Sequence, residues 1–181
     1  EEIARQIAEI VPHVVVTHPL KPLDNVPLYR FLGRLFGCEV AAEVLCERFS
    51  VAYQKLAEDA ANWPARRVLY VIWKNPWMTV SGDTYVSQML ALARLHTQGH
   101  DPERRFPVVS LGDPALESLD AWLLSSEPYP FGEQDIAALA TEHPPAYNKI
   151  HLINGEFVSW YGSRAIAGLE YLRDLVPKLW P

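Results

Sequence analysis

Aromatic residues concentrate in three loops of this sequence, and these loops carry the side chains best suited to binding a ligand. The loops cover residues 73–78, 127–131 and 157–164, and each has a charged side chain beside its rings. Aromatic walls with a few orienting polar groups are typical of a small-molecule pocket. For any single ring, packing against its own domain is an equally good explanation, but three such loops favour a site. We therefore predict ligand contacts from Trp73, Trp77, Glu127, Tyr129, Phe131, Trp160, Tyr161 and Arg164.

Sequence patterns typical of catalysis or metal binding are missing. The chain has no GxSxG, P-loop, GxGxxG or HExxH motif. Ser163 follows a glycine, but its position at a predicted helix start favours an N-cap. His96 and His100 have the spacing of paired metal ligands, yet Gly99 between them disfavours the helix that such a pair needs. We therefore predict no catalytic residue, no metal site and no resident cofactor.

The composition is that of a globular protein that does not bind nucleic acid. The chain has 181 residues, of which 49% are hydrophobic and 21% are charged. Its net charge of −6 comes without a basic stripe, which makes nucleic acid a poor partner. No stretch approaches the roughly 20 apolar residues of a membrane-spanning helix. Because the sequence starts at Glu1 without a signal-peptide pattern, we expect a processed or truncated piece.

The elements that must position the three loops alternate along the chain from residue 66 onward. Short apolar runs followed by amphipathic helical segments predict an α/β fold with a mostly parallel sheet. Such sheets bind ligands beyond the carboxyl ends of their strands, where the three loops would lie. Strands are predicted at 68–73, 107–110, 121–124 and 149–153, and helices at 83–95, around 136–140 and at 163–179, with a helical turn at 114–119.

The first third of the chain is predicted to be mainly helical. One helix is predicted at 1–10, and a second begins after Asp24 or Asn25 and ends at Gly37. A third, at 39–61, would be a rod of about 35 Å with more than five turns. Its apolar side is predicted to comprise Val40, Val44, Leu45, Phe49 and Leu56.

A run of three valines at 14–16 is typical of a strand buried on both faces. The neighbouring sequence offers this strand no sheet of its own. Because exposed strand edges recruit partners, we predict that residues 1–20 pair with a second copy of the chain or swap between two copies.

Three segments of the sequence resemble one protein family. They are VLYVIWKNPWMTVSGDTYVSQMLALA from residue 68, LLSSEPYPF from residue 123 and INGEFVSWYGSRAIAGLEYL from residue 153. All three resemble the carboxyl-terminal lobe of helical-backbone substrate-binding proteins, the extracytoplasmic receptors of ABC importers for cobalamin, ferric siderophores and haem. Residues 39–61 are similar to the helix that joins the two lobes of that family, and residues 1–20 to the last helix and strand of its amino-terminal lobe.

The resemblance implies a Rossmann-like three-layer lobe preceded by a long interlobe backbone helix. It divides the chain into a remnant of the amino-terminal lobe at 1–24, an interlobe helical backbone at 25–63 and a carboxyl-terminal α/β lobe at 64–181. Most of the amino-terminal lobe would then be absent from this chain. Members of the family offer an acidic residue to the permease where this sequence has Gly112, which leaves Asp113 as the candidate docking residue.

The resemblance implies a periplasmic or otherwise extracytoplasmic protein that captures a metal chelate and delivers it to an ABC permease, without covalent chemistry. The aromatic residues would supply flat walls for a corrin, porphyrin or siderophore. Arg164 and Glu127 would supply orienting charge. Two other functions stay open: a small α/β enzyme that uses Glu127 or His18 as acid or base, and a protein-interaction module built on the aromatic patch.

Overall fold

The sheet is built around two adjacent parallel strands. The computed structural model describes residues 2–181. Its strands are β1 (Arg66–Trp73), β2 (Met78–Thr79), β3 (Leu95–Thr97), β4 (Ala121–Ser125) and β5 (Ile150–Ile153). They lie in the order β2-β1-β4-β5, and β3 also pairs with β1. All pairings are parallel except that of β2 with β1, so the predicted α/β class with a mostly parallel sheet is confirmed.

The helices of the described residues cover both faces of this sheet. They are α1 (Glu2–Ala8), α2 (Asn25–Phe36), α3 (Glu39–Ala60), α4 (Tyr85–Leu92), α5 (Glu133–Glu142), α6 (Gly155–Ser159) and α7 (Arg164–Leu179). A 3-10 helix at Pro114–Ser118 occupies the predicted helical turn.

Successive residues of β1 face opposite sides of the sheet, as the period of two in a strand requires. Val68 and Tyr70 belong to a core that includes buried residues of α3, α4 and α7. Leu69 and Val71 belong to a second core, to which α5 contributes Leu139. Two separate cores explain why β1 reads as a continuous apolar run in the sequence.

The predicted long helix is confirmed as α3, which has 22 residues, or about six turns. Phe49 and Leu56 are fully buried on its inner face, as predicted. The prediction that Val40 and Val44 belong to the buried side is wrong, because both are exposed.

The close approach of α2 to α3 explains this difference. A Cβ atom added to Gly33 of α2 would lie 2.5 Å from the Cβ of Ala42 of α3. Only small residues fit at such a contact, so Ala42 and Cys46 face inward and the valines face outward. The left-handed Gly37, with φ of 64°, makes the tight turn between the two helices.

Two predicted strands are not formed. The valines at 14–16 are exposed and have no strand partner within residues 2–181. Segment 107–110 is a loop that makes an isolated bridge between Val108 and Met78. The predicted helix at 83–95 ends at Leu92, because Arg94 takes a left-handed φ of 59° and the chain turns into β3, which the sequence analysis missed.

Within the described residues, no helix combines the length and the hydropathy that crossing a bilayer requires.

The two faces of α3 give a direct test of this packing. Phe49→Ala is expected to lower the free energy of unfolding by about 3–5 kcal/mol, because it leaves a cavity in the core. Val44→Ala on the outer face, where the side chain is 52% exposed, is expected to cost less than about 0.5 kcal/mol. Urea unfolding followed by circular dichroism measures both values. If both variants lost the same free energy of unfolding, the valine side of α3 would be packed as closely as the side that carries Phe49.

Candidate functional site

A cavity of about 530 Å³ opens at the carboxyl edge of the sheet. We call it the main cavity. It lies where β1 and β4 end, between the start of α4 and the turn that joins α6 to α7. Its walls are mostly apolar, which suits a ligand with flat hydrophobic faces. The residues that line it are Tyr70, Ile72, Trp73, Met78, Val80, Thr84, Tyr85, Val86, Arg105, Phe106, Glu127, Pro128, Ser159 and Trp160.

The hydroxyl groups of Tyr70 and Ser159, which line the main cavity, form a hydrogen-bonded group with the buried Ser125 beside them, and we call these three the floor hydroxyls. The Tyr70 hydroxyl lies 2.8 Å from Ser125 Oγ and 3.2 Å from Ser159 Oγ. Burial raises the pKa of Tyr70 to about 12, so the phenol is neutral at physiological pH. Ser125 Oγ also donates to the carbonyl oxygen of Glu127 at 2.6 Å, which ties the floor to the loop after β4.

Trp160 forms one wall, and Glu127 fixes its orientation. The indole Nε1 donates to Glu127 Oε1 at 2.6 Å, while the ring remains 55% exposed. The start of α6 packs closely against this loop, because a Cβ atom on Gly155 would lie 2.6 Å from Glu127 Cγ. Glycine at this position therefore allows the wall to form.

The buried side-chain amide of Asn25 in α2 connects the turn after Trp160 to α4. Asn25 is fully buried, and its Nδ2 donates to the Tyr85 hydroxyl at 3.0 Å and to the Pro22 carbonyl oxygen at 2.8 Å. Its Oδ1 accepts a hydrogen bond from Gly162 N at 2.6 Å. Burial raises the pKa of Tyr85 to about 12, so its hydroxyl also stays neutral.

The structure brings three of the sequence-predicted residues into the main cavity: Trp73, Glu127 and Trp160. The Trp73 ring is 41% exposed, and Tyr129 supports it edge-on, with the ring centroids 5.6 Å apart. Tyr129 itself is partly buried against the second core and is not among the residues that line the main cavity. That these residues bind a ligand stays a prediction.

Trp77 and Phe131 lie outside the main cavity. Their rings stack 6.1 Å apart at 5° and pack against the core on the opposite face of the sheet. Trp77 Nε1 donates to Glu142 of α5 at 3.2 Å, and Phe131 is buried. The hairpin from β1 to β2 separates Trp73 from Trp77. Trp73 therefore lies at the main cavity, and Trp77 packs against the core on the opposite face of the sheet.

Tyr161 and Arg164 are not among the residues that line the main cavity. The Tyr161 hydroxyl donates to the Thr17 carbonyl oxygen at 3.3 Å, and its ring lies edge-on to Tyr85 at 5.9 Å. The Arg164 guanidinium is paired with Glu156 at 2.6 Å. Arg164 therefore already has an acidic partner on the neighbouring helix α6.

The sequence analysis missed Arg105 and Phe106, which line the main cavity from the loop before residue 107. The guanidinium lies 5.8 Å from the Phe106 ring centre, and its Nη1 lies 3.4 Å from His18 Nε2. A cation beside an aromatic residue just before a proline is an available signal, but the strand predicted at 107–110 begins after these two residues and the sequence analysis gives them no role. Among the described residues, no group of three or more His, Cys, Asp or Glu side chains is arranged to hold a metal.

An ion pair between the half-buried Lys74 and the buried Asp135 supports the wall that contains Trp73. Lys74 hydrogen-bonds the carboxylate of Asp135, which is 1% exposed, and its ammonium lies 5.0 Å from the centre of the Tyr129 ring. Burial by itself raises the pKa of Asp135, but the Lys74 ammonium and the Gly132 amide outweigh it and hold this pKa below its usual range. The pair thus anchors α5 to the loop after β1.

Comparison with solved structures shows that the fold is similar to that of several periplasmic binding proteins. The periplasmic vitamin B12 binding protein BtuF of Vibrio cholerae is 14% identical with a TM-score of 0.79, and the match covers 97% of this chain and 70% of that one. The periplasmic heme-binding protein RhuT from Roseiflexus sp. RS-1 is 17% identical with a TM-score of 0.75, covering 98% and 70%. S. aureus IsdE, solved with heme, is 14% identical with a TM-score of 0.69, covering 86% and 64%.

By sequence alone, no family model matches the chain and no curated protein is similar to it. The likeness therefore rests on structure and concerns the fold.

Asp135→Asn is expected to lower the melting temperature at pH 7, because Lys74 loses its charged partner. Since the pKa of Asp135 is lowered by folding, this stabilisation is complete above the unfolded value of about 3.9 and disappears as the pH falls through the folded value. The difference in melting temperature between wild type and variant should therefore shrink in acid. Glu133→Gln, an exposed change in the first turn of the same helix, is the control. A difference that stays constant down to pH 2 would contradict the ion-pair assignment.

Proposed function

We propose that this chain is a substrate-binding component of an ABC importer and that it binds a metal chelate in the main cavity. The observation that carries the proposal is a preformed aromatic cavity at the carboxyl edge of a sheet whose fold matches binding proteins for vitamin B12 and heme. Those structures are of binding proteins, and the proposal accordingly includes no covalent step.

The polar groups of the main cavity define the kind of chelate that fits. Glu127 already accepts a hydrogen bond from Trp160, and the floor hydroxyls bond to one another. Arg105 is the cationic side chain among the described lining residues. A chelate with a flat apolar face and an anionic group at its edge would place the face between Trp73 and Trp160 and the anion near Arg105.

The proposed partner is a membrane permease, and the proposed location is the periplasm or another extracytoplasmic space. Asp113 is the proposed contact on this lobe. Its side chain is exposed, and Oδ1 also accepts a hydrogen bond from Ala115 N at 2.9 Å. Asp113→Asn keeps this cap and removes the charge, which makes it the right variant for a docking assay.

Trp160→Ala is expected to weaken chelate binding by more than about 1 kcal/mol, because the wall at the centre of the site is lost. Its cost in stability should stay below the roughly 3–5 kcal/mol of a buried aromatic truncation, since the ring is 55% exposed. Absorption titrations with haemin, cyanocobalamin and a ferric hydroxamate measure binding to both proteins.

Trp180→Ala is the matched control for this variant. Trp180 lies near the end of the chain against Arg66 and His151, outside the main cavity, so its loss should leave the affinity unchanged. If none of the three chelates binds the wild-type protein, or if Trp160→Ala binds as tightly as wild type, the proposed function is wrong.

We also propose that an apolar surface near the start of the chain packs against a second copy. Val15, Val16 and Phe31 line a shallow hollow of about 350 Å³, although all three are exposed. Apolar patches of this kind mark interaction surfaces. Further exposed apolar residues of the first third include Val14, Leu20, Leu35, Phe36, Val40 and Val44.

The chain is therefore expected to have a mass of twice 20.5 kDa in solution at micromolar concentration. The double change of Val15→Lys and Val16→Lys should give a single copy, because two buried lysines would face each other across the contact. Light scattering after size-exclusion chromatography measures both masses. A wild-type chain that stays monomeric at the highest soluble concentration would rule out the second copy.

A further inference from the structure

A second hollow of about 380 Å³ adjoins the main cavity. It lies between α2 and the turn from α6 to α7, and its lining includes Leu28, Leu32 and Tyr161. Trp160 and Ser159 line both spaces. The two spaces therefore share a wall at Ser159 and Trp160.

The second hollow is held open by hydrogen bonds at its rim. The Tyr29 hydroxyl donates to the Gly162 carbonyl oxygen at 2.7 Å, and Gly162 N donates to Asn25 at 2.6 Å. These two bonds fix the α6–α7 turn against α2. On the opposite side, Tyr161 holds the backbone of Thr17 at 3.3 Å. Preformed space of this kind binds a ligand with less loss of entropy than space that must open.

The lining of the second hollow determines what it can accept. Among the described residues, no charged side chain lines it, and two leucines supply the surface on α2. A charged group placed there would lose its hydration without gaining a counterion. An alkyl chain would exchange water for leucine and aromatic contacts, which is favourable for each methylene buried.

We propose that the second hollow receives an uncharged alkyl arm carried by a ligand whose flat body lies in the main cavity. The inference rests on the proposed function and adds the substrate class: an amphipathic chelate with a hydrophobic side arm. Trp160 then contacts both parts of the ligand, the flat body on one side and the start of the arm on the other. Because Glu127 holds the indole, the angle between the two parts is fixed by the protein.

Haemin amides test the proposal, because one propionate can carry arms of different length at constant charge. The probes are the methyl, n-butyl, n-hexyl and n-octyl monoamides. Each added methylene is expected to tighten binding by about twofold to fourfold until the hollow is filled. A monoamide whose arm ends in a carboxylate, at the length of the octyl arm, should lose this gain. Absorption titration gives the dissociation constants.

Leu32→Glu should abolish the dependence on arm length and leave the affinity of the methyl amide unchanged. Leu35→Glu is the matched control on the same helix, because Leu35 is 51% exposed and lines neither space. If Leu32→Glu fails to fold, Leu32→Thr makes the same test with a smaller polar side chain.

Equal affinity for every arm length in the wild-type protein would overturn the inference while leaving chelate binding intact. Binding that gains equally from the arm in wild type and in Leu32→Glu would also overturn it, because the arm would then lie elsewhere. If the methyl amide does not bind, the inference fails as well. The titrations with cyanocobalamin and the ferric hydroxamate then decide separately whether the proposed function survives.

Discussion

The buried side chain of Asn25 is the interaction on which the arrangement of the site depends. Its Nδ2 donates to the Tyr85 hydroxyl at the start of α4 and to the Pro22 carbonyl oxygen. Its Oδ1 accepts a hydrogen bond from Gly162 N before α7. An unpaired buried amide costs about 1–3 kcal/mol, so each of these bonds constrains its neighbour. These bonds hold three segments in one relative position: the start of α2, the start of α4 and the α6–α7 turn. The main cavity and the second hollow are both bounded by segments of this group.

The elements that the sequence predicted well are those whose pattern is decided by burial on both sides. β1 and β4 are continuous apolar runs because two cores receive their alternate residues, and that signal is strong enough to read locally. The helix α3 was recognised by its length, but its inner face was predicted only in part, because Phe49 and Leu56 are buried while Val40 and Val44 are exposed. The approach at Gly33 places small residues inward, and no periodicity of large apolar residues can reveal a contact made by glycine and alanine.

The candidate site was predicted in part, since the sequence located the correct edge of the sheet but could not assign the rings to its faces. Trp73 and Trp77 are four residues apart, and the hairpin between β1 and β2 sends one to the main cavity and the other to the opposite core. Arg164 has a partner in Glu156, whereas Arg105 from an irregular loop reaches the cavity. The direction that each side chain takes within a turn or irregular loop decides both outcomes, and the pattern of residue types along the chain does not reveal it.

Several polar groups of the site already hydrogen-bond to one another. Tyr70 bonds to two serines, Trp160 bonds to Glu127, and burial keeps the phenol of Tyr70 neutral. A ligand therefore meets few unsatisfied donors on this wall, and most of its contact energy must come from area and shape. Rings that are held in place before the ligand arrives lose little entropy when it binds. Selectivity on this wall then depends on the angle at which the fixed indole of Trp160 stands, because that angle sets which shapes can lie against both of its sides.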